Sequence, residues 1–180
     1  MSLRHGTRGI SEREHDWCLF ANLWGRRLRV RQYFAAVSRL GDGVFWYALM
    51  ALVVAVDGYA GLVASTHMAA TGLAALLLYT RLKRWARRPR PCARDVRIRA
   101  LVRPLDEFSF PSGHTLHAVA FTVVALAHYP ALAWLLVPFT ASVGASRVVL
   151  GLHYPSDVLA AVAAGGSLGA ASLWLGAVLG

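Results

Sequence analysis

Residues 146–157, Ser-Arg-Val-Val-Leu-Gly-Leu-His-Tyr-Pro-Ser-Asp, bring Arg147, His153 and Asp157 together at the junction of two apolar stretches. Ionisable side chains are costly to desolvate at a membrane, so three of them at one helix junction mark a functional site. Pro155 suits the first position of a helix, where its fixed φ fits and its missing N–H is no loss. Asp157 then falls in the first turn, one turn beyond His153. A carboxylate so placed can accept a hydrogen bond from one imidazole nitrogen and leave the other free as a base or nucleophile.

A second cluster, Phe110-Pro111-Ser112-Gly113-His114, directly precedes an apolar segment. A helix N-terminus offers unpaired N–H groups and a positive dipole end, which together favour an anion. Ser112 can cap the helix or donate its hydroxyl, Gly113 lets the backbone come close, and His114 faces the same spot. The same residues also make an ordinary helix start. His114 and His117 form a His-x-x-His pair, a poor metal signal without a carboxylate or Cys beside it. The third cluster is Lys83-Arg84-Trp85-Ala86-Arg87-Arg88-Pro89-Arg90-Pro91. Alone, a basic run after an apolar helix is a topology signal that touches anionic headgroups.

The elements that would position these residues are apolar helices. The chain is 57% hydrophobic with mean hydropathy +0.47, yet carries a formal charge of +10 and a pI near 10.8. A membrane protein with basic ends combines these properties readily, and the apolar runs leave little surface for a nucleic-acid-binding domain. Lys83 is the only lysine, and Cys18 and Cys92 are too few and too far apart for a disulfide framework or a zinc site. Residues 1–16 are polar and basic, a loose start or the first turn of a surface helix, without the apolar core of a cleavable signal peptide.

The expected fold class is all-α, an integral-membrane helical bundle over one domain, residues 1–180. Residues 17–40, within a basic N-terminal segment 1–40, mix aromatics with Arg26, Arg27, Arg29 and Arg31 and are too short in apolar length to span. They predict an amphipathic helix in the interface, with a helix packed sideways on the bundle equally compatible with the pattern. Five apolar segments follow, at 41–56, 61–80, 113–129, 131–150 and 155–179, with a break at Asp57-Gly58 and a polar loop over 81–112. His67 is the one ionisable side chain inside the second segment, expected to hydrogen-bond a neighbouring helix. The last segment is rich in Gly and Ala, which lets helices approach closely.

Five crossings place the loop 81–112 and the junction at His153 on one side of the membrane. All nineteen basic residues then fall on that side: eight from Arg4 to Arg39, ten from Arg81 to Arg103, and Arg147. By the positive-inside rule that side is the cytoplasm. One face thus collects Lys83, Arg90, Arg147, a helix N-terminus, two histidines and an acid. Such a set suits phosphoryl transfer, in which cations and N–H groups neutralise phosphate oxygens, one His attacks phosphorus and another protonates the departing oxygen. The residues alone do not decide which His attacks.

Lys83 with six residues before Arg90-Pro91, then Pro111-Ser112-Gly113-His114, then Ser146-Arg147 with five residues before His153 and three more before Asp157, together resemble the tripartite signature of the type 2 phosphatidic acid phosphatases. The resemblance covers residues 83–157. It implies a membrane lipid phosphate phosphatase in which His153 is the nucleophile that forms a phosphohistidine, Asp157 orients and balances its imidazole, and His114 is the general acid. Lys83, Arg90, Ser112, Gly113 and Arg147 would hold the phosphate. It implies no metal and no other cofactor. The expected partners are the bilayer and a lipid phosphate or diphosphate such as phosphatidylglycerol phosphate, phosphatidic acid or undecaprenyl diphosphate; no nucleic acid is expected. The location implied is a bacterial inner membrane. Relatives of this kind commonly have six spans and a periplasmic site, in conflict with the charge count. The reading from another class is a non-catalytic membrane protein whose basic face binds anionic lipid, and vanadium haloperoxidase chemistry is a third.

Overall fold

The computed structural model describes residues 10–179, and within them it is all-helical, with only a lone bridge between Pro89 and Phe108 in place of any strand. The expectation for residues 1–9 lies outside the described residues. Seven α-helices follow one another: α1 (Ile10–Gly25), α2 (Leu28–Arg39), α3 (Phe45–Ala86), the single turn α4 (Pro91–Arg94), α5 (Gly113–His128), α6 (Ala133–Val149) and α7 (Pro155–Leu179). Three helical runs are long and apolar enough to cross a membrane: Leu28–Ala86, Pro130–Val149 and Pro155–Val178.

The first of these runs is not straight. Gly58, at φ 54° and ψ −118°, leaves the helical region. Around it Ser65 Oγ donates to the Met50 carbonyl at 3.0 Å, and a Cβ on Gly61 would lie 2.0 Å from the Val53 carbonyl oxygen. Residues fifteen apart on a straight helix would be about 22 Å apart, so α3 is two antiparallel arms folded at Asp57-Gly58, as the break in the sequence implies. Glycine is needed there because a side chain disfavours positive φ and, at Gly61, would collide with the opposite arm.

The second arm extends past the apolar segment expected to end at residue 80, as far as Ala86. It stops where Arg87 turns left-handed (φ 44°) and Pro89 cannot continue a helix. Lys83 is therefore on a helix rather than in the loop expected over 81–112. The N-terminal segment also differs from one amphipathic helix over 17–40. It is two helices, because Arg27 is extended (φ −64°, ψ 130°) and starts a new one. The first begins before residue 17, so that Glu14, only 6% exposed, packs against the bundle. Trp17, Phe20 and Trp24 of α1 stay exposed.

The core lies between α3, α5 and α6, where Trp46, Leu49 and Met68 pack with Phe121, Val124, Leu136 and Val143. Small residues let α5 and α7 touch closely: a Cβ on Gly165 would meet the Leu116 carbonyl oxygen at 2.5 Å. Tyr129, just after α5, donates to Asp57 Oδ2 at 2.9 Å, which ties the turn of α3 to the turn before α6 at one end of the bundle. Every sequence cluster singled out for chemistry lies at the other end. His67 bonds Ser172 of α7 at 3.0 Å and lies 3.3 Å from His128 of α5, so it bridges helices as expected, while its ring is half-buried where a buried one was expected.

Candidate active site

The ends of four helices and two connecting segments build the site. Lys83 comes from the last turn of α3, Ser112 caps α5, His114 is in its first turn, Arg147 is in the last turn of α6, and Asp157 is in the first turn of α7. His153 sits in the short link between α6 and α7, and Arg90 in the segment after α3. The link can turn so tightly because Gly151 is at φ +77°, with Asn22 Nδ2 and the Arg99 carbonyl oxygen where a Cβ would go. Asn22 of α1 then stitches the region. Its amide donates to the carbonyls of Arg99 (2.8 Å) and Val149 (3.2 Å), and its oxygen accepts from Arg99 N–H (2.9 Å).

His153 is 1% exposed. Its Nδ1 lies 2.6 Å from the Ser109 carbonyl oxygen and its Nε2 lies 3.1 Å from Arg90 Nη1. A carbonyl only accepts and a guanidinium only donates, so the proton is on Nδ1 and the lone pair on Nε2. Burial, together with Arg147 and Arg90, lowers the His153 pKa to about 4, against a smaller upward pull from Asp157. The imidazole is thus neutral near pH 7 with its lone pair among cations.

Those cations are held in place. Arg90 is 3% exposed; Nη1 also donates to the Leu152 carbonyl at 2.8 Å, Nε to the Asp106 carbonyl at 2.9 Å, and Nη2 to Asp106 Oδ1 at 2.7 Å. Lys83 donates to Asp106 Oδ2 and lies 5.4 Å from the centre of the Tyr79 ring. Arg147 is buried and donates to Ser38 Oγ of α2, while its Nε has no protein partner among the described residues. An unpaired buried guanidinium N–H is costly, and an anion oxygen is the partner it suits. On the acid side, His114 Nε2 lies 3.2 Å from Asp42 Oδ1.

Six of the eight residues singled out from the sequence, Lys83, Arg90, Gly113, His114, Arg147 and His153, line one cavity of about 620 Å³. Ser112 and Asp157, both fully buried, stand behind it. Ser112 Oγ caps α5 by accepting from Thr115 N–H at 3.5 Å and lies 2.9 Å from Thr115 Oγ1, and Asp157 Oδ2 stands 3.7 Å from His153 Nδ1. The opposite end of the cavity is apolar, between Tyr47 and Met50 on one arm of α3 and Leu73 and Leu76 on the other. Tyr47 and Leu73 are also exposed, so this end of the cavity reaches the apolar surface of the bundle.

This arrangement joins a cationic end to an apolar end. The sequence profile described as the PAP2 superfamily matches residues 60–178. The chain belongs to the PAP2 superfamily. Two solved structures superpose on nearly all of it. A crystal structure described as the first transmembrane PAP2-type phosphatidylglycerolphosphate phosphatase from Bacillus subtilis has 25% identity and a TM-score of 0.77, covering 97% of this chain and 89% of that one. Aquifex aeolicus LpxE has 22% identity and a TM-score of 0.75, covering 96% of this chain and 99% of that one, which speaks to fold. Undecaprenyl-diphosphatase BcrC of Bacillus subtilis strain 168 is 35% identical over 89 residues, which is 49% of this chain and 46% of that protein. The match thus spans just under half of that relative's length.

The structure also shows side chains at this PAP2 site to which the sequence gave no role: Asp42, Asp106, and, behind Asp157, Arg88 and Glu14. Asp106 lies in a loop with no motif around it, and Asp42 follows a glycine at a helix kink. Their partners are distant in sequence, so no local spacing announces them.

Proposed function

We propose that this chain is a metal-independent lipid phosphate or diphosphate phosphatase that works through a phosphohistidine at His153. The observation that carries the reading is the Nε2 lone pair of a neutral, buried His153 facing a cavity lined by Lys83, Arg90, Arg147 and His114. The lipid tail lies at the apolar end, and the terminal phosphate replaces Asp106 between Lys83 and Arg90.

His153 Nε2 attacks phosphorus as the bond to the leaving oxygen breaks, and that oxygen departs with the bonding pair and takes the Nε2 proton of His114, which enters the step as an imidazolium beside Asp42 and the anionic phosphate and is left neutral. The cations, the Gly113 N–H and the dipole of α5 neutralise the three equatorial oxygens as charge builds. Phosphorylation makes the imidazole cationic, with its Nδ1 proton still on the Ser109 carbonyl, and Asp157 balances that charge. Water then attacks phosphorus and gives its proton to His114. The N–P bond breaks, its pair returns to Nε2, and inorganic phosphate leaves.

The substrates this fits are phosphatidylglycerol phosphate, phosphatidic acid and undecaprenyl diphosphate. We read five spans in one domain: the two arms of α3, then α5, α6 and α7, with α1 lying in the interface on its exposed aromatics. The charge distribution supports a site facing the cytoplasm of a bacterium, against the periplasmic site common among such relatives. The deciding experiment measures phosphate release by purified protein in detergent with EDTA, on each of the three lipids, with and without vanadate. Vanadate-sensitive turnover that EDTA spares is expected. Lipid binding that survives His153→Ala, with no turnover in either protein, would favour a non-catalytic binder.

A further inference from the structure

Behind Asp157 runs a partly buried charge chain that the phosphatase chemistry does not use directly. Arg88 Nη1 donates to Asp157 Oδ1 at 2.7 Å and to Ser156 Oγ at 2.7 Å. Arg88 Nη2 donates to Glu14 Oε2 at 2.8 Å, and the guanidinium lies 4.0 Å from the centre of the Tyr154 ring. Glu14 Oε1 accepts from the Ser156 backbone N–H at 2.6 Å. An acid of α1 thus sits at the start of α7, where an orphan N–H and the positive dipole end favour it. Asp157 completes the chain by accepting from Tyr154 N–H at 2.8 Å.

We propose that Glu14 and Arg88 are positioning residues of the same site: Glu14 holds Arg88, and together they fix the place and the effective charge of Asp157 behind the His153 imidazole. The inference rests on the phosphatase reading for its kinetic consequence, and on geometry for the rest. It gives α1 a role that its exposed aromatic face does not explain, and it takes Arg88 out of the basic run that otherwise reads as a topology signal.

Glu14, Arg88 and Asp157 carry one net negative charge. Had Arg88 stood alone against Asp157, the carboxylate would be fully neutralised and the cationic phosphohistidine would lack its counter-charge. Glu14 restores it. Without Arg88, two buried carboxylates would face each other with no cation between them, a costly arrangement. Other charges face the same groups: Arg90, Arg147 and His114 around His153, and Cys18, Tyr154 and Arg94 around Arg88 and Asp157. None changes in the variants below, so differences report on the chain itself.

The test uses Glu14→Gln, Arg88→Lys, Arg88→Met and the double variant Glu14→Gln/Arg88→Met in the full-length protein. Two readouts are taken: kcat and KM on one lipid phosphate, and the titration of the His153 imidazole by nitrogen NMR on histidine-labelled protein in detergent, assigned by the signal lost in His153→Ala. Glu14→Gln should lower kcat about ten-fold with KM within two-fold, and should lower the His153 titration midpoint. Arg88→Met should raise that midpoint and cost more in kcat, Arg88→Lys should keep part of the loss back, and the double variant should return the midpoint toward wild type and exceed Arg88→Met in kcat. A purely structural role predicts independent losses that multiply, with no movement of the midpoint, and that result would overturn the proposal. Opposite midpoint shifts with no turnover in wild type would sustain the charge chain and sink the phosphatase reading instead.

Discussion

His153 donates from Nδ1 to the carbonyl oxygen of Ser109 at 2.6 Å, whereas the carboxylate of Asp157 stands 3.7 Å from the same nitrogen. The backbone therefore fixes the tautomer, and the acid contributes charge across a gap. Where an acid itself holds the tautomer, its amide variant costs roughly 10⁴-fold in kcat because the imidazole turns the wrong nitrogen to the substrate. Here Asp157→Asn leaves the Ser109 contact intact, so we expect a smaller loss, about 10²-fold, while His153→Ala abolishes turnover. Steady-state phosphate release from the two purified variants measures both. Equal losses would show that Asp157 orients the ring after all.

The depressed pKa of His153 makes a prediction about pH. Burial, with Arg147 and Arg90 nearby, holds the folded-state value at about 4 against 6.5 for the ordinary group. Between those values the unfolded chain binds a proton that the folded chain refuses, so stability rises with pH across the window. The contribution is present above about pH 6.5 and is lost as pH falls toward 4. Thermal unfolding in detergent should show a melting temperature that drops from pH 6.5 to pH 4, and His153→Ala should flatten that drop. An unchanged slope in the variant would assign the acid sensitivity to other groups.

Much of this site was legible because its signals are local. Lys83 and Arg90 lie seven apart, Ser112 and His114 open one helix, and Arg147, His153 and Asp157 share one junction. Counting apolar segments brought the three groups to one end, and the structure gathers them there, with the Tyr129–Asp57 bond joining two turns at the other. What was not legible is tertiary. Glu14 reaches Ser156 across 142 residues and Asn22 reaches Val149 across 127, and no periodicity encodes such contacts. The N-terminal segment divides directly after Gly25, where a Cβ would meet Val149, so a single glycine inside a basic, aromatic stretch is the one local sign of the break. The tautomer of His153 depends on a main-chain carbonyl, which no side-chain motif records.

Asp106 bridges the two cations that the phosphate needs, accepting from Lys83 and from Arg90 Nη2. Burial alone would raise its pKa, but the hydrogen bond and charge of Lys83, with the charge of Arg90, outweigh that and hold it below the usual carboxylate range. It is ionised near neutral pH and competes with an entering phosphate for the same donors. Asp106→Asn should therefore tighten vanadate inhibition several-fold, while lowering the melting temperature because Lys83 and Arg90 lose their anion. Weaker vanadate inhibition would mean that Asp106 organises the cations more than it competes with the ligand.

Lys83 itself tests how closely the phosphate end is fitted. Lys83 is 8% exposed, and its ammonium lies between Asp106 and the Tyr79 ring. A guanidinium is planar, larger and directs its donors in a fixed fork, so it cannot take that place without moving Tyr79 or Arg90. We expect Lys83→Arg to lower kcat/KM by at least about ten-fold, the order of one lost charged contact, with the protein still folded by thermal melting. Wild-type kinetics would make the single lysine of the chain incidental.

The side of the membrane that the site faces follows from two positions that need no change in the core. Tyr59, beside the turn of α3, and Trp85, at its end near Lys83, are each 82% exposed. In a background with Cys92→Ser, each is replaced by Cys and treated with a membrane-impermeant maleimide in right-side-out and inverted vesicles. Nineteen basic residues on the site's side of the parity argument and none on the other predict a cytoplasmic site. Trp85→Cys should then be labelled only in inverted vesicles and Tyr59→Cys only in right-side-out ones. The reverse pattern would put the phosphate site on the outer face. The arginine excess would then have to be explained by binding of substrate and headgroups, since it would run against the rule that normally sets orientation.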